Sequence, residues 1–224
     1  MLNLGRPTAP PLPGTVVPID NALFADGDTM PALSAVREIR SRLTSPHPPA
    51  WQERWELACW DLMHGDFSTA RGVVADFRAH TPPEFQDQSA EGAEILAPGL
   101  LEAWIAIHGT SANDGAMLRH LDSLAATGRD VSSIEENTLL LGRLFSTLGQ
   151  PERALKALRR VTHFLQVPYA RSTLWLARAR AAVAAGKKAE AIEAYRIYLA
   201  LRSDPAPRLV PQRDSARREV ARLE

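Results

Sequence analysis

Four times in this chain a glycine followed after four residues by an alanine stands between two apolar runs, at Gly27 and Ala32, Gly65 and Ala70, Gly149 and Ala154, and Gly186 and Ala191. In each case an apolar run with helical spacing precedes the glycine and another follows it, as in LWLARARAAVAAGKKAEAIEAYRIYLAL. Glycine accepts the left-handed conformation that closes a helix. Alanine, one turn into the next helix, is small enough to let two helices approach closely. The motif therefore predicts the turn of a helical hairpin, repeated along the chain.

The second helices carry bulky residues at offsets of four and then three after the alanine: Val36 and Ile39, Val74 and Phe77, Leu158 and Val161, Tyr195 and Tyr198. Such offsets keep one face of a helix apolar. The matching glycines are 38, 84 and 37 residues apart, and the long middle interval has room for a further hairpin, with GLLEAWIAIHG as its first helix and DGAMLRHLDSLAATG as its second. The expected units are residues 17–45, 51–82, 95–127, 135–168 and 172–203, followed by a capping helix within 210–224. Together they form a single domain over residues 17–224, and the proline-rich segment RPTAPPLPGTVVP reads as a flexible leader over residues 1–16. Paired amphipathic helices at this period predict an all-α solenoid, in which each hairpin buries its apolar face against its neighbours.

The units resemble the tetratricopeptide repeat. Trp175, Ala179, Gly186, Ala191 and Tyr195 match that family's tryptophan, small, turn, alanine and aromatic positions; Leu141, Gly142, Phe145, Ala154 and Leu158 match in the preceding unit, and Leu57, Ala58, Ala70 and Pro82 in the 51–82 unit. The chain departs from the family in unit spacings longer than its usual length of about 34 residues, and in the short leading helix PIDNALFADG of the first unit. The resemblance implies a right-handed α-solenoid of about five hairpins. The C-terminal stretch AYRIYLALRSDPAPRLVPQRDSARREVARLE is also similar to the tail of tetratricopeptide regions attached to bacterial serine/threonine kinases and transcriptional regulators.

Charge is divided unevenly. Residues 1–150 carry 10 basic against 19 acidic side chains, and residues 151–224 carry 16 against 7. The division is either a solvated basic helix surface or a means of steering an acidic partner to the C-terminal part. No apolar run reaches the roughly 20 residues of a membrane span, and MLNLGRPTAPPLPGT lacks the apolar core of a secretory signal. The expected address is cytoplasmic, and the single cysteine, Cys59, excludes an internal disulfide framework.

Residues suited to catalysis are scarce. The six histidines form no metal-ligand pair, the nearest two helical candidates, His108 and His120, being 12 residues apart. No glycine-rich phosphate loop and no kinase motif occurs. Cys59, between Trp55 and Trp60, reads as a buried small hydrophobe rather than a nucleophile, and Asp61, His64 and Asp66 in WDLMHGDF read as polar residues at a helix turn. Trp51, Trp55 and Trp104 suit core packing better than the lining of a groove. The expectation is a protein without catalytic, cofactor or metal sites.

The resemblance further implies a concave surface built from the first helix of each hairpin, along which a peptide or protein segment lies. Counting back from each turn glycine, the concave positions are Trp55, Cys59 and Leu62, then Leu139, Arg143 and Ser146, then Leu176, Arg180 and Val183. Arg143 and Arg180 are equivalent, and two adjacent guanidinium groups suit an acidic side chain or a C-terminal carboxylate; alternatively they pair with acids of the chain such as Glu136. The lysine and asparagine set with which some family members clamp chaperone tails is absent from these positions. The sequence thus points to a non-catalytic scaffold for an acidic protein segment. A regulatory module of a bacterial signalling or transcription system is the alternative, and nucleic-acid binding through the basic part is a less favoured one.

Overall fold

The computed structural model describes residues 29–47, 49–80, 92–108, 114–127, 135–160 and 168–224, and every regular element among them is helical. The described elements are α1 (Thr29–Arg42), α2 (Trp51–Met63), α3 (Phe67–His80), α4 (Gly92–His108), α5 (Asp114–Thr127), α6 (Glu135–Thr147), α7 (Pro151–Leu158), α8 (Pro168–Ala184), α9 (Lys188–Leu201), a 3-10 turn (Pro207–Leu209) and α10 (Val210–Leu223). The leader, the first helix of the first unit, Gly27 and Val161 lie outside the described residues, as does the side chain of Phe77.

Three of the four glycine-alanine turns are described, and they share one hydrogen-bond pattern. Gly65, Gly149 and Gly186 have φ of 78°, 65° and 68°, the left-handed conformation in which a side chain is strained. Each glycine N–H donates to a carbonyl three residues back (Leu62, Ser146, Val183), and the next residue donates to one five residues back (Asp61, Phe145, Ala182), at 2.8–3.2 Å. That is a Schellman closure of the first helix. The carbonyl of the same following residue (Asp66, Gln150, Lys187) then accepts from the alanine N–H at 2.9–3.0 Å, opening the second helix. One residue thus ends one helix and starts the next, which fixes the glycine-to-alanine spacing. Ala70, Ala154 and Ala191 are all fully buried.

Packing joins each helix to its successor: α2 to α3, α4 to α5, α6 to α7 and α8 to α9 within hairpins, and α3 to α4, α5 to α6, α7 to α8 and α9 to α10 between them. The first helices also touch one another, α2 with α4, α4 with α6 and α6 with α8. An extended apolar core runs from Ala32 and Ile39 in α1 to Ala182 and Ala191 in α8 and α9. A second cluster of Leu176, Ala179, Ala194, Tyr195, Tyr198 and Ala216 joins α8 and α9 to α10.

Small residues set the approach of paired helices. A Cβ placed on Gly142 in α6 would stand 2.5 Å from Cγ of Leu158 in α7, and one on Gly99 in α4 would stand 2.9 Å from a methyl of Leu124 in α5. Both are closer than packed carbons tolerate. α7 stops at Leu158, before the longer apolar stretch that follows it in sequence, and α4 begins at Gly92, seven residues ahead of the expected helix GLLEAWIAIHG.

Ion pairs tie neighbouring elements. Arg42 of α1 forks onto Glu53 of α2, with Nη1 donating to Oε2 at 3.1 Å and Nη2 to Oε1, and Arg40 donates to Asp61. Glu190 in α9 accepts from Nε of Arg159, just past α7, and from Nε of Arg178 in α8, both at 3.0 Å. Charge-assisted bonds of this kind are shorter and stronger than neutral ones.

Candidate functional site

The residues six places before the three described turn glycines are Cys59, Arg143 and Arg180, on α2, α6 and α8. Because the first helices pack on one another, these equivalent positions fall into electrostatic reach. Burial lowers the Arg143 pKa below the ordinary guanidinium range, Cys59 opposes the shift, and the Arg180 charge adds to it. Arg143 is half-buried, whereas Arg180 is exposed and has no carboxylate within ion-pair distance among the described residues.

The cationic surface continues toward the cap. Arg180, Arg202 and Arg213 all act on the Tyr198 hydroxyl, favouring its ionised form, although burial outweighs them and raises its pKa. Burial likewise raises Tyr195, where Arg180 and Arg222 oppose it. The Tyr198 hydroxyl donates to Oε1 of Gln212 at 3.0 Å, which anchors α10 to α9, and Arg202 Nε donates to the Ser172 hydroxyl at 2.8 Å. Arg213 pairs with its neighbour Asp214 at 3.2 Å. Arg202, Arg213, Tyr198 and Gln212 were not singled out from the sequence as site residues. The excess of arginine after residue 150 was the available signal, but which arginines converge depends on how α10 folds back.

The apolar concave positions differ from the expected lining. Trp55, Leu62, Leu139 and Leu176 are 3%, 3%, 2% and 4% exposed, and Cys59 is fully buried. The chain itself fills this row, because the first helices pack on one another and cover these side chains. The accessible part of the expected surface is Arg143, Ser146, Val183 and Arg180. Ser146 is exposed and its hydroxyl donates back to the Gly142 carbonyl at 2.9 Å.

The WDLMHGDF segment divides by position. Asp66 caps α3, its Oδ1 accepting from the Thr69 N–H at 3.0 Å. His64 is exposed and stacks on Trp60 with ring centroids 4.1 Å apart. Asp61 is not a turn-surface residue: its side chain is buried, with Oδ2 unbonded, and burial raises its pKa to about 6 against the opposing pull of Arg40. Of the tryptophans, Trp60 and Trp104 are buried, and Trp175 is half-buried with the Arg178 guanidinium 4.9 Å from its ring centre. The Trp51 side chain lies outside the described residues.

Among the described residues no group of three or more histidine, cysteine or acidic side chains could hold a metal ion. None of their helices is long and apolar enough to cross a membrane. No family model matches the chain, and neither a curated protein nor a solved structure is significantly similar to it.

Proposed function

We propose that the chain is a non-catalytic scaffold: a right-handed solenoid of tetratricopeptide-like hairpins, capped by α10, that binds an acidic protein segment along its first helices. The observation that carries this reading is the alignment of Arg143 with Arg180 at equivalent positions of successive hairpins, with Arg180 exposed and no carboxylate of the described residues within ion-pair distance. Guanidinium groups side by side accept carboxylates bidentately. Arg202 and Arg213, within reach of Tyr198, extend the same positive surface toward the cap. Since the apolar positions of the row are filled by the chain's own packing, recognition on this surface is mainly polar.

The test is a fluorescence-anisotropy titration with a labelled glutamate-rich peptide and its lysine-rich counterpart. The reading expects saturable binding of the acidic peptide alone, and a loss of at least about tenfold in affinity in Arg143→Glu with Arg180→Glu, since reversed charges repel the ligand they attracted. Unchanged affinity in a variant with intact helical signal and melting temperature overturns it. A single-stranded oligonucleotide in the same titration separates the nucleic-acid reading, which the basic C-terminal charge also favours: it predicts tighter binding of the oligonucleotide than of the peptide.

A further inference from the structure

Two acids of α2 meet α1, and they are answered unequally. The Glu53 side chain is 4% exposed and both its oxygens are bonded: Arg42 forks onto them, and the Ala50 N–H donates to Oε2 at 2.8 Å. The Asp61 side chain is wholly buried; its Oδ1 accepts from Arg40, and its Oδ2 has no hydrogen-bond partner among the described residues. Four residues before the described turn glycines stand Asp61, Phe145 and Ala182, and the last two are apolar and 1% and 0% exposed. Phe145 borders α5, the helix before its own, as Asp61 borders α1. A core position that is apolar in two hairpins thus carries an ionisable group in the first of the three. We infer that the α1–α2 seam is a proton-operated latch: α1 closes over Asp61 when its carboxyl is protonated and loosens from α2 when it ionises.

A carboxylate sealed from water with one oxygen unbonded loses hydration that nothing replaces, whereas the neutral acid loses far less. Arg40 offsets part of that cost, but its side chain is 43% exposed and keeps much of its own water. Burial accordingly outweighs Arg40 and raises the Asp61 pKa to about 6; Asp66, just ahead of α3, adds to the rise, and His64 at the end of α2 opposes it. Glu102 and His108 of α4, which also packs on α2, are not among the groups that act on it. Lifting α1 returns Asp61 to water and to the ordinary carboxylate range, so the closed state binds the proton more tightly. Closure is therefore strongest below that range and weakens as pH rises through 6. The helix is suited to such a motion, because among the described elements α1 packs chiefly on α2. Val36 and Ile39 of α1, both buried when it is closed, become accessible when it lifts.

Amide hydrogen exchange of the whole chain from about pH 4 to 7.5, with rates corrected for their intrinsic dependence on pH, tests the latch against an internal reference, the amides of α8 and α9. Protection over residues 35–39 should fall at least about tenfold relative to that reference as pH rises. In Asp61→Asn the relative protection should stay level. Arg40→Gln, a change at an exposed side chain, removes the opposing charge and should move the fall to higher pH; His64→Gln, also at an exposed side chain, should leave the fall in place. Melting temperatures check that each variant folds. Protection of α1 that follows α8 and α9 at every pH, or a fall that persists in Asp61→Asn or vanishes in His64→Gln, overturns the inference.

Discussion

Arg143 and Arg180 share one position in successive hairpins, six residues before a left-handed glycine, and burial, joined by the charge of Arg180, makes the Arg143 proton easier to lose. Packing of α6 on α8 holds the two cations within electrostatic reach of each other. An acidic ligand relieves that repulsion. Affinity for an acidic peptide should therefore fall steeply as salt is raised from about 0.05 to 0.5 M, because the Debye length shrinks from above about 10 Å to a few ångströms. Titrations at several salt concentrations measure this, and a salt-independent affinity would place the main contact elsewhere.

Glycines at two kinds of position should respond differently to alanine. At Gly149 nothing lies within 4 Å of an added Cβ, but φ is 65°, so Gly149→Ala costs about 1–2 kcal/mol of backbone strain. Gly149→Asn should cost less, since asparagine tolerates that conformation. At Gly142 the conformation is helical and the obstacle is Leu158. Gly142→Ala should destabilise by about 1–3 kcal/mol through overpacking, and Gly142→Ala with Leu158→Ala should show coupling. Chemical denaturation of these four variants and of Leu158→Ala alone measures each.

Glu190 receives Arg159 and Arg178, and hydrogen bonds from the first of these lead in holding its pKa at about 2. A depressed acid contributes stability that is present above its unfolded pKa and lost as pH falls through the folded value. Glu190→Gln should therefore destabilise the chain at pH 7 by about 1–2 kcal/mol, after allowance for the half-exposed Arg159. Melting temperatures of the two proteins should converge as pH is lowered from 5 toward 2.

Asp61 has the opposite sign. Its pKa is raised to about 6, chiefly by burial, so its contribution is present below the unfolded value and lost as pH rises through 6. Relative to wild type, Asp61→Asn should gain stability between pH 3 and pH 7, by at most about 3 kcal/mol at roughly 1.4 kcal/mol per pKa unit. A gap independent of pH would show that Arg40 keeps Asp61 charged throughout.

The hairpins were legible in the sequence because their turns depend on local chemistry. A left-handed glycine and the alanine that takes the next helix's first hydrogen bond lie within six residues, as at Gly186 and Ala191. The equivalence of Arg143 and Arg180 followed from counting along the same frame. Exposure was not legible in this way: Leu62, Leu139 and Leu176 are buried because one first helix packs on the next, a distance that no single helix encodes. Asp61 shows the same limit, since only the docking of α1 on α2 brings Arg40 to it. The end of α7 at Leu158 also went unseen, because the apolar spacing continues past the point where the helix stops.

The most direct test of the binding account is to observe the arginine side chains themselves. Nitrogen-15-labelled protein titrated with a glutamate-rich peptide should show saturable shifts of the Nε–H signals of Arg143 and Arg180, while those of Arg217 and Arg222, paired within α10 to Asp214 and Glu219, stay in place. Shifts spread evenly over the arginines of the C-terminal part, or confined to α10, would contradict the account and reduce the interaction to undirected charge attraction.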